Sequence, residues 1–125
     1  MDNDFVVKDS GKRETFASGM TRDTTESKVN YLAVLDGPML DRWAEHLTKG
    51  KVKYPDVRPG TANWTLANGP AEYHRFRESA FRHLCKWLKG DRDEDHAAAV
   101  FFNINGAEYI RKQAISAQEA EDIGG

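Results

Sequence analysis

With 125 residues, 39% of them hydrophobic, and a formal charge of -2, the chain has material for one modest core and is too short for two domains of ordinary size. Eighteen basic and twenty acidic side chains are interspersed, which argues against duplex nucleic acid or a charged membrane surface as partner, so any nucleotide partner is expected to be small. No apolar run approaches the ~18 residues of a membrane span, the start MDNDFVVKDSGKRETF lacks a signal-peptide pattern, and the lone Cys85 excludes an internal disulfide; the expectation is a cytoplasmic protein with a buried thiol.

Residues 1–17 read as a flexible segment. The region up to about residue 35 reads as an arm laid over a core, because it mixes charge, Ser, Thr and Gly without helical period apart from the β-leaning runs FVV and VNYLAVL. At DGPMLDRWAEHLTKGKVKY, Asp36 is expected to cap a first helix with Pro38 in its first turn and with Leu40, Trp43, Ala44 and Leu47 at helical spacing, ending at Gly50 or soon after. PDVRPGTANWTLANGP holds three of the four prolines and is a long loop, expected to be ordered because it carries Trp64. A second helix starts at Pro70, has Glu72 in its first turn, buries Phe76, Ala80, Phe81, Leu84, Trp87 and Leu88, and stops at Gly90. Asp93 or Asp95 caps a third helix with an apolar face of Ala97, Val100, Phe101, Ile104 and Ile110. The short connection makes these last two helices antiparallel neighbours, and residues 113–125 form an acidic tail whose AQEAEDIGG is expected to fray. The reading is a mainly α protein: a small bundle of three or more helices spanning residues 18–112, with an extended N-terminal arm.

The chemistry concentrates in CKWLKGDRDEDHAAAVFFNIN. One carboxylate suffices to cap a helix, yet Asp91, Asp93, Glu94 and Asp95 crowd into five positions, where a divalent cation would relieve their repulsion. Capping alone and metal binding both fit. His96 and Asn103 fall on one stripe of the third helix and point into an apolar face, either as satisfied core residues or as ligands to metal or nucleotide. On the second helix Glu72, Phe76, Ser79 and His83 share one flank and His74, Glu78 and Arg82 the other; periodicity does not say which faces the acidic turn. Glu78 and Arg82 are at ion-pair spacing, and His83 is near enough to the helix end to join a site. Lys49, Lys51 and Lys53 with Tyr54 either meet phosphates or serve the helix dipole, and Trp64 either stacks a base or fills the core. No Gly-rich phosphate loop, Ser-His-Asp order or Cys-x-x-Cys is present.

The segments SGMTRDTTESKVNYLAVLDGP, KGKVKYPDVRPGTANW and SAFRHLCKWLKGDRDEDHAAAVFFNIN resemble the phage and bacterial dATP/dGTP diphosphohydrolase N-terminal domain, a relative of the all-α MazG-like nucleotide pyrophosphohydrolases. The likeness runs from about Ser18 to Tyr109 and rests on Arg22-Asp23, Lys28, Lys53-Tyr54, Asn63-Trp64, Arg82-His83, His96 and Asn103 in order. It implies hydrolysis of a purine deoxynucleoside triphosphate to monophosphate and pyrophosphate with Mg²⁺ or Mn²⁺, in the host cytoplasm if phage-encoded, by a homo-oligomer. On that reading Glu78, His83 and Asp95 lie at the metal, and His96 joins them in catalysis. Arg22, Lys28, Lys53, Asn63, Trp64, Arg82 and Asn103 then contact substrate. The Glu-Glu-x-x-Glu and Glu-x-x-Asp intervals of MazG-like enzymes are missing, so the metal set is either rebuilt from Glu78, His83, Asp95 and His96 or reduced. A non-catalytic module that sequesters nucleotide and a small interaction protein are the alternatives.

Overall fold

Residues 5–124 are described in the computed structural model, with side chains described through residue 118. The elements in order are strands β1 (Arg13–Thr15) and β2 (Thr21–Asp23), a 3-10 turn at Tyr31–Asp36, helix α1 (Met39–Lys53), a second 3-10 turn at Asn63–Leu66, and helices α2 (Pro70–Leu88) and α3 (His96–Gly124). The mainly α expectation holds. The chain divides into two units, with the boundary between Ala33 and Val34.

In the first unit β1 and β2 form an antiparallel hairpin with Glu14 opposite Arg22, an opposite-charge pair across the ladder. Asp9 and Asp23 clamp Arg13, at 2.8 and 3.3 Å, and Lys28 meets Asp23 at 3.3 Å. The hairpin straddles the boundary drawn at residue 17. FVV forms no strand, and the β-leaning VNYLAVL is taken up by the Tyr31–Asp36 turn.

In the second unit the start of α1 departs from expectation. Asp36 closes the preceding 3-10 turn, and Pro38 occupies the cap position with no side-chain hydrogen bond. The loop is ordered: Arg58-Pro59-Gly60-Thr61 makes a tight turn in which Thr61 N–H donates to Arg58 C=O at 2.9 Å. Proline fixes φ at its second position and Gly60, at φ 82°, takes the left-handed third position of a type II turn.

The ends of α2 follow their residues closely. Glu72 Oε1 accepts the N–H groups of Asn68 and Gly69, each at 3.1 Å, and Pro70 loses no helical hydrogen bond in the first turn. At the other end Gly90, at φ 82°, lets Asp91 N–H reach Lys86 C=O at 3.1 Å, a left-handed stop that reverses the chain. Asp95 then caps α3, its Oδ1 accepting Ala98 N–H at 3.1 Å. The helical path continues to Gly124, through the segment expected to fray.

α3 is the central helix, packing against α2, α1 and the Asn63–Leu66 turn. Its buried positions are His96, Ala98, Ala99, Asn103, Gly106, Ala107 and Ile110. Of the expected face only Ile110 is buried, whereas Phe101 and Ile104 are exposed, as are Phe81, Trp87 and Leu88 on α2. The reason is steric. The small side chains of α3 let α2 come close, so that a Cβ placed on Gly106 would lie 2.5 Å from the Phe76 ring. Cys85, expected buried, is half-buried and free. No described helix is long and apolar enough to cross a membrane.

Candidate functional site

The Gly90 turn sets the last turns of α2 beside the first of α3, and so settles which flank of α2 faces inward. It is the flank of Phe76, Ser79 and His83, on which Glu72 stays exposed at the helix start; His74, Glu78 and Arg82 are exposed on the other. Arg82 donates to Ser79 Oγ at 3.3 Å, and among the described residues no ion pair joins it to Glu78.

His83 Nδ1 lies 2.9 Å from His96 Nδ1, and His96 Nε2 lies 2.7 Å from Asp93 Oδ1. A carboxylate only accepts, so neutral His96 carries its proton on Nε2 and presents a bare Nδ1, to which His83 donates. Burial pushes the His83 imidazole to a lower pKa, with Glu94 pulling the other way, and the hydrogen bond from His96 holds the Asp93 carboxyl below its usual range. His96 is 2% exposed, so these partners replace the water it has lost. Glu94 is exposed; its carboxylate with His83 and His96 offers three ligand atoms all within 4.8 Å of one another. Two imidazoles and a carboxylate, one imidazole braced from behind by a second carboxylate, is a donor set that fits a divalent metal.

Asp95 does other work. Arg42 of α1 forks onto it, Nε to Oδ2 at 2.8 Å and Nη2 to Oδ1. That fork holds the Asp95 carboxyl down at about 2, with the Ala98 N–H adding to the effect. Because both side chains keep a third or more of their surface in water (39% and 33%), the pair is worth far less than a buried one. Arg42→Leu is therefore expected to cost about 1 kcal/mol, seen as a fall of about 4–8 °C in Tm by circular dichroism; an unchanged Tm would show that α1 is held by apolar contacts alone.

One turn on from Arg42, His46 lies against Phe102 of α3, the rings tilted by 49° with 5.3 Å between centroids. Burial lowers its pKa, against the upward pull of the Asp95 and Glu94 charges. His46 also lines a cleft of about 850 Å³ between α1, the loop and α2. Trp64, Phe76 and Phe102 form its aromatic wall, edge to face at 6.2 and 6.0 Å. Lys51, Lys53 and Arg75 bring cations to it. Lys51 pairs with Asp56 Oδ2 at 3.2 Å, while Asp56 Oδ1 is buried without a partner.

The structure thus brings His83 and His96 together, and places Lys53, Asn63 and Trp64 on the cleft. It holds Asn103 in the core, where its side-chain N–H donates to Ala99 C=O at 2.8 Å, and keeps Glu78 and Arg82 outside both groups. Arg22 and Lys28 belong to the hairpin unit. Sequence reasoning missed Arg42, His46, Arg75, Phe102 and Asp56 and passed over Glu94 and Asp93 in favour of Asp95. A signal existed for two of them: Arg42 and His46 are four apart on α1, hence on one face.

A family model described as dATP/dGTP diphosphohydrolase, N-terminal, matches residues 17–119. No curated protein and no solved structure gives a match to the chain.

Proposed function

Because the chain belongs to the dATP/dGTP diphosphohydrolase N-terminal family, we propose that it hydrolyses a purine (deoxy)nucleoside triphosphate to monophosphate and pyrophosphate with the help of a divalent cation. The observation that carries this reading is the cleft of about 850 Å³ with an aromatic wall and three cations, a volume and a mixture of surfaces suited to one nucleotide.

A purine has a flat apolar face and stacks on Trp64 and Phe102. Lys51, Lys53 and Arg75 meet the polyphosphate, where charge-assisted hydrogen bonds are worth most. The unpartnered Asp56 Oδ1 accepts from a sugar hydroxyl or an exocyclic amine. His46, whose pKa burial lowers, takes a proton from the water that attacks the α-phosphorus; the α–β bridging bond breaks, and pyrophosphate leaves with the electron pair. Glu94 and Asp95 steady the imidazolium so formed. His83, His96 and Glu94 would hold a divalent cation, which would supply charge neutralisation and a more acidic water; none of the three lines the cleft itself. Glu78 and Arg82 take no part in this reading. The apolar residues left exposed on α2 and α3, among them Phe81, Trp87, Phe101 and Ile104, support self-association.

The test is incubation with each common NTP and dNTP plus Mn²⁺, following pyrophosphate. Release is expected from purine deoxynucleotides, and Lys53→Ala is expected to raise KM about tenfold, the loss of one charged hydrogen bond, with kcat nearly unchanged. Saturable binding without release under all eight nucleotides would replace the hydrolase by a sequestering module.

A further inference from the structure

We propose that His83, His96 and Glu94 select a first-row transition ion of the Mn²⁺, Co²⁺ or Ni²⁺ kind over Mg²⁺, with Asp93 as the positioning residue behind His96. The ion's part in hydrolysis rests on the reading above, but its ligands and its identity do not.

Two features of the geometry point this way. Two nitrogens each about 2.1 Å from one ion and at right angles lie about 3.0 Å apart; His83 Nδ1 and His96 Nδ1 already lie 2.9 Å apart. The pair is thus spaced as neighbouring ligands of a six-coordinate ion; the shared proton must leave and the rings must turn slightly, so that both lone pairs converge beside the line that joins the nitrogens. Entry of the ion requires that proton to leave His83 Nδ1 and a proton to sit on His83 Nε2 instead, a change of tautomer with no net change in charge. His96 needs no change of tautomer, since Asp93 holds the proton on its far nitrogen at 2.7 Å and orients the ring, as carboxylates commonly do behind metal-bound imidazoles.

The choice of ion follows from the donors. Mg²⁺ demands oxygen ligands and sheds water reluctantly, and among these three groups only Glu94 supplies oxygen. Imidazole nitrogens favour the later divalent ions of the first row. The neighbouring oxygens that would make a Mg²⁺ site are otherwise engaged, Asp95 by Arg42 and Ala98 and Asp93 by His96. Three of the four acidic residues of the turn, Asp93, Glu94 and Asp95, therefore have different partners, and the acidity alone is not what makes the site.

The deciding experiment titrates metal-free protein with Co²⁺ alone, by calorimetry and by ¹⁵N shifts of the imidazoles, with no nucleotide present. Saturation at one ion per chain is expected, with the Nδ1 resonances of His83 and His96 moving and with a thousandfold excess of Mg²⁺ failing to displace it. Glu94→Gln and Asp93→Asn are expected to weaken binding about 10–100-fold, and His83→Gln more. Since Glu94 is exposed, Glu94→Gln folds whatever becomes of the histidine variants and so decides the matter. Co²⁺ affinity within twofold of the parent in Glu94→Gln, no binding to the folded parent, or displacement by Mg²⁺ at equal concentration overturns the proposal. Because pyrophosphate is not read here, a chain that binds Co²⁺ at these residues yet hydrolyses nothing would remove the enzyme and leave the metal site standing.

Discussion

Gly106→Ala is expected to destabilise the helical unit by about 2 kcal/mol, although alanine is the better helix former. Two effects of opposite sign compete at this position. Relieving glycine's backbone freedom inside α3 would stabilise by about 1 kcal/mol. The added methyl, however, would sit 2.5–2.8 Å from three carbons of the Phe76 ring, well inside carbon–carbon contact distance. Phe76 is not a free-ended side chain that swings aside: its ring stands edge to face with Phe102 at 6.0 Å and forms part of the cleft wall. Making room requires the ring to leave its rotamer or α2 to withdraw, and overpacking of this kind costs about 1–3 kcal/mol or more. The clash wins. Thermal unfolding should show Tm lower by roughly 8–16 °C, and Phe76→Leu should lose part of its own cost when combined with Gly106→Ala, because the two changes share one space. A Tm raised by Gly106→Ala would mean that α2 and α3 do not approach as described.

That close approach also explains what the sequence conveyed and what it concealed. Both ends of α2 and the start of α3 were legible because each is fixed by a residue acting within its own turn: Pro70 and Glu72 at one end, Gly90 at the other, then Asp95 one position before α3. The inward faces were not. α3 is apolar on several sides between Ala97 and Ile110, and the side that packs is chosen by what the partner helix can reach, which favours Ala99, Gly106 and Ala107 over the larger Phe101 and Ile104. Volume suggested the opposite. Likewise VNYLAVL leans towards strand by composition, yet lies in a 3-10 turn, since a lone strand has no partner to hydrogen-bond.

The site divides in the same way. His83 could be placed near His96 by counting turns from Gly90, and the pair does meet. Which of three consecutive carboxylates joins them could not be counted. Successive residues at a helix start point in different directions, and Asp95 is drawn away by an arginine 53 positions earlier in the chain. The contribution of α1 was hidden for a related reason: Arg42 and His46 become site residues only once α1 is laid on α3, a contact no local pattern encodes.

The cleft gives the second large effect, at Trp64. Trp64→Ala is expected both to destabilise the unit by about 2–3 kcal/mol and to weaken nucleotide binding about tenfold or more. The first follows from packing. Trp64 is half-buried and meets Tyr109 at 5.2 Å and Phe102 at 6.2 Å, edge to face in both cases, so its removal strips the short Asn63–Leu66 turn of its hold on α3; the low end of the usual range for deleting a large aromatic applies because part of the ring is in solvent. The second follows from position, since the same ring lines the cleft beside Lys53 and Asn63. Trp64→Phe separates the two roles. It keeps an aromatic against Tyr109 and should recover most of the lost stability, while removing the indole whose fluorescence a stacked purine quenches. With Trp43 and Trp87 retained, dATP or dGTP should quench the parent and Trp87→Phe alike and leave Trp64→Phe nearly unchanged. Quenching that survives in Trp64→Phe would move the base away from this wall, and with it the phosphates from Lys51 and Lys53, since one nucleotide spans both.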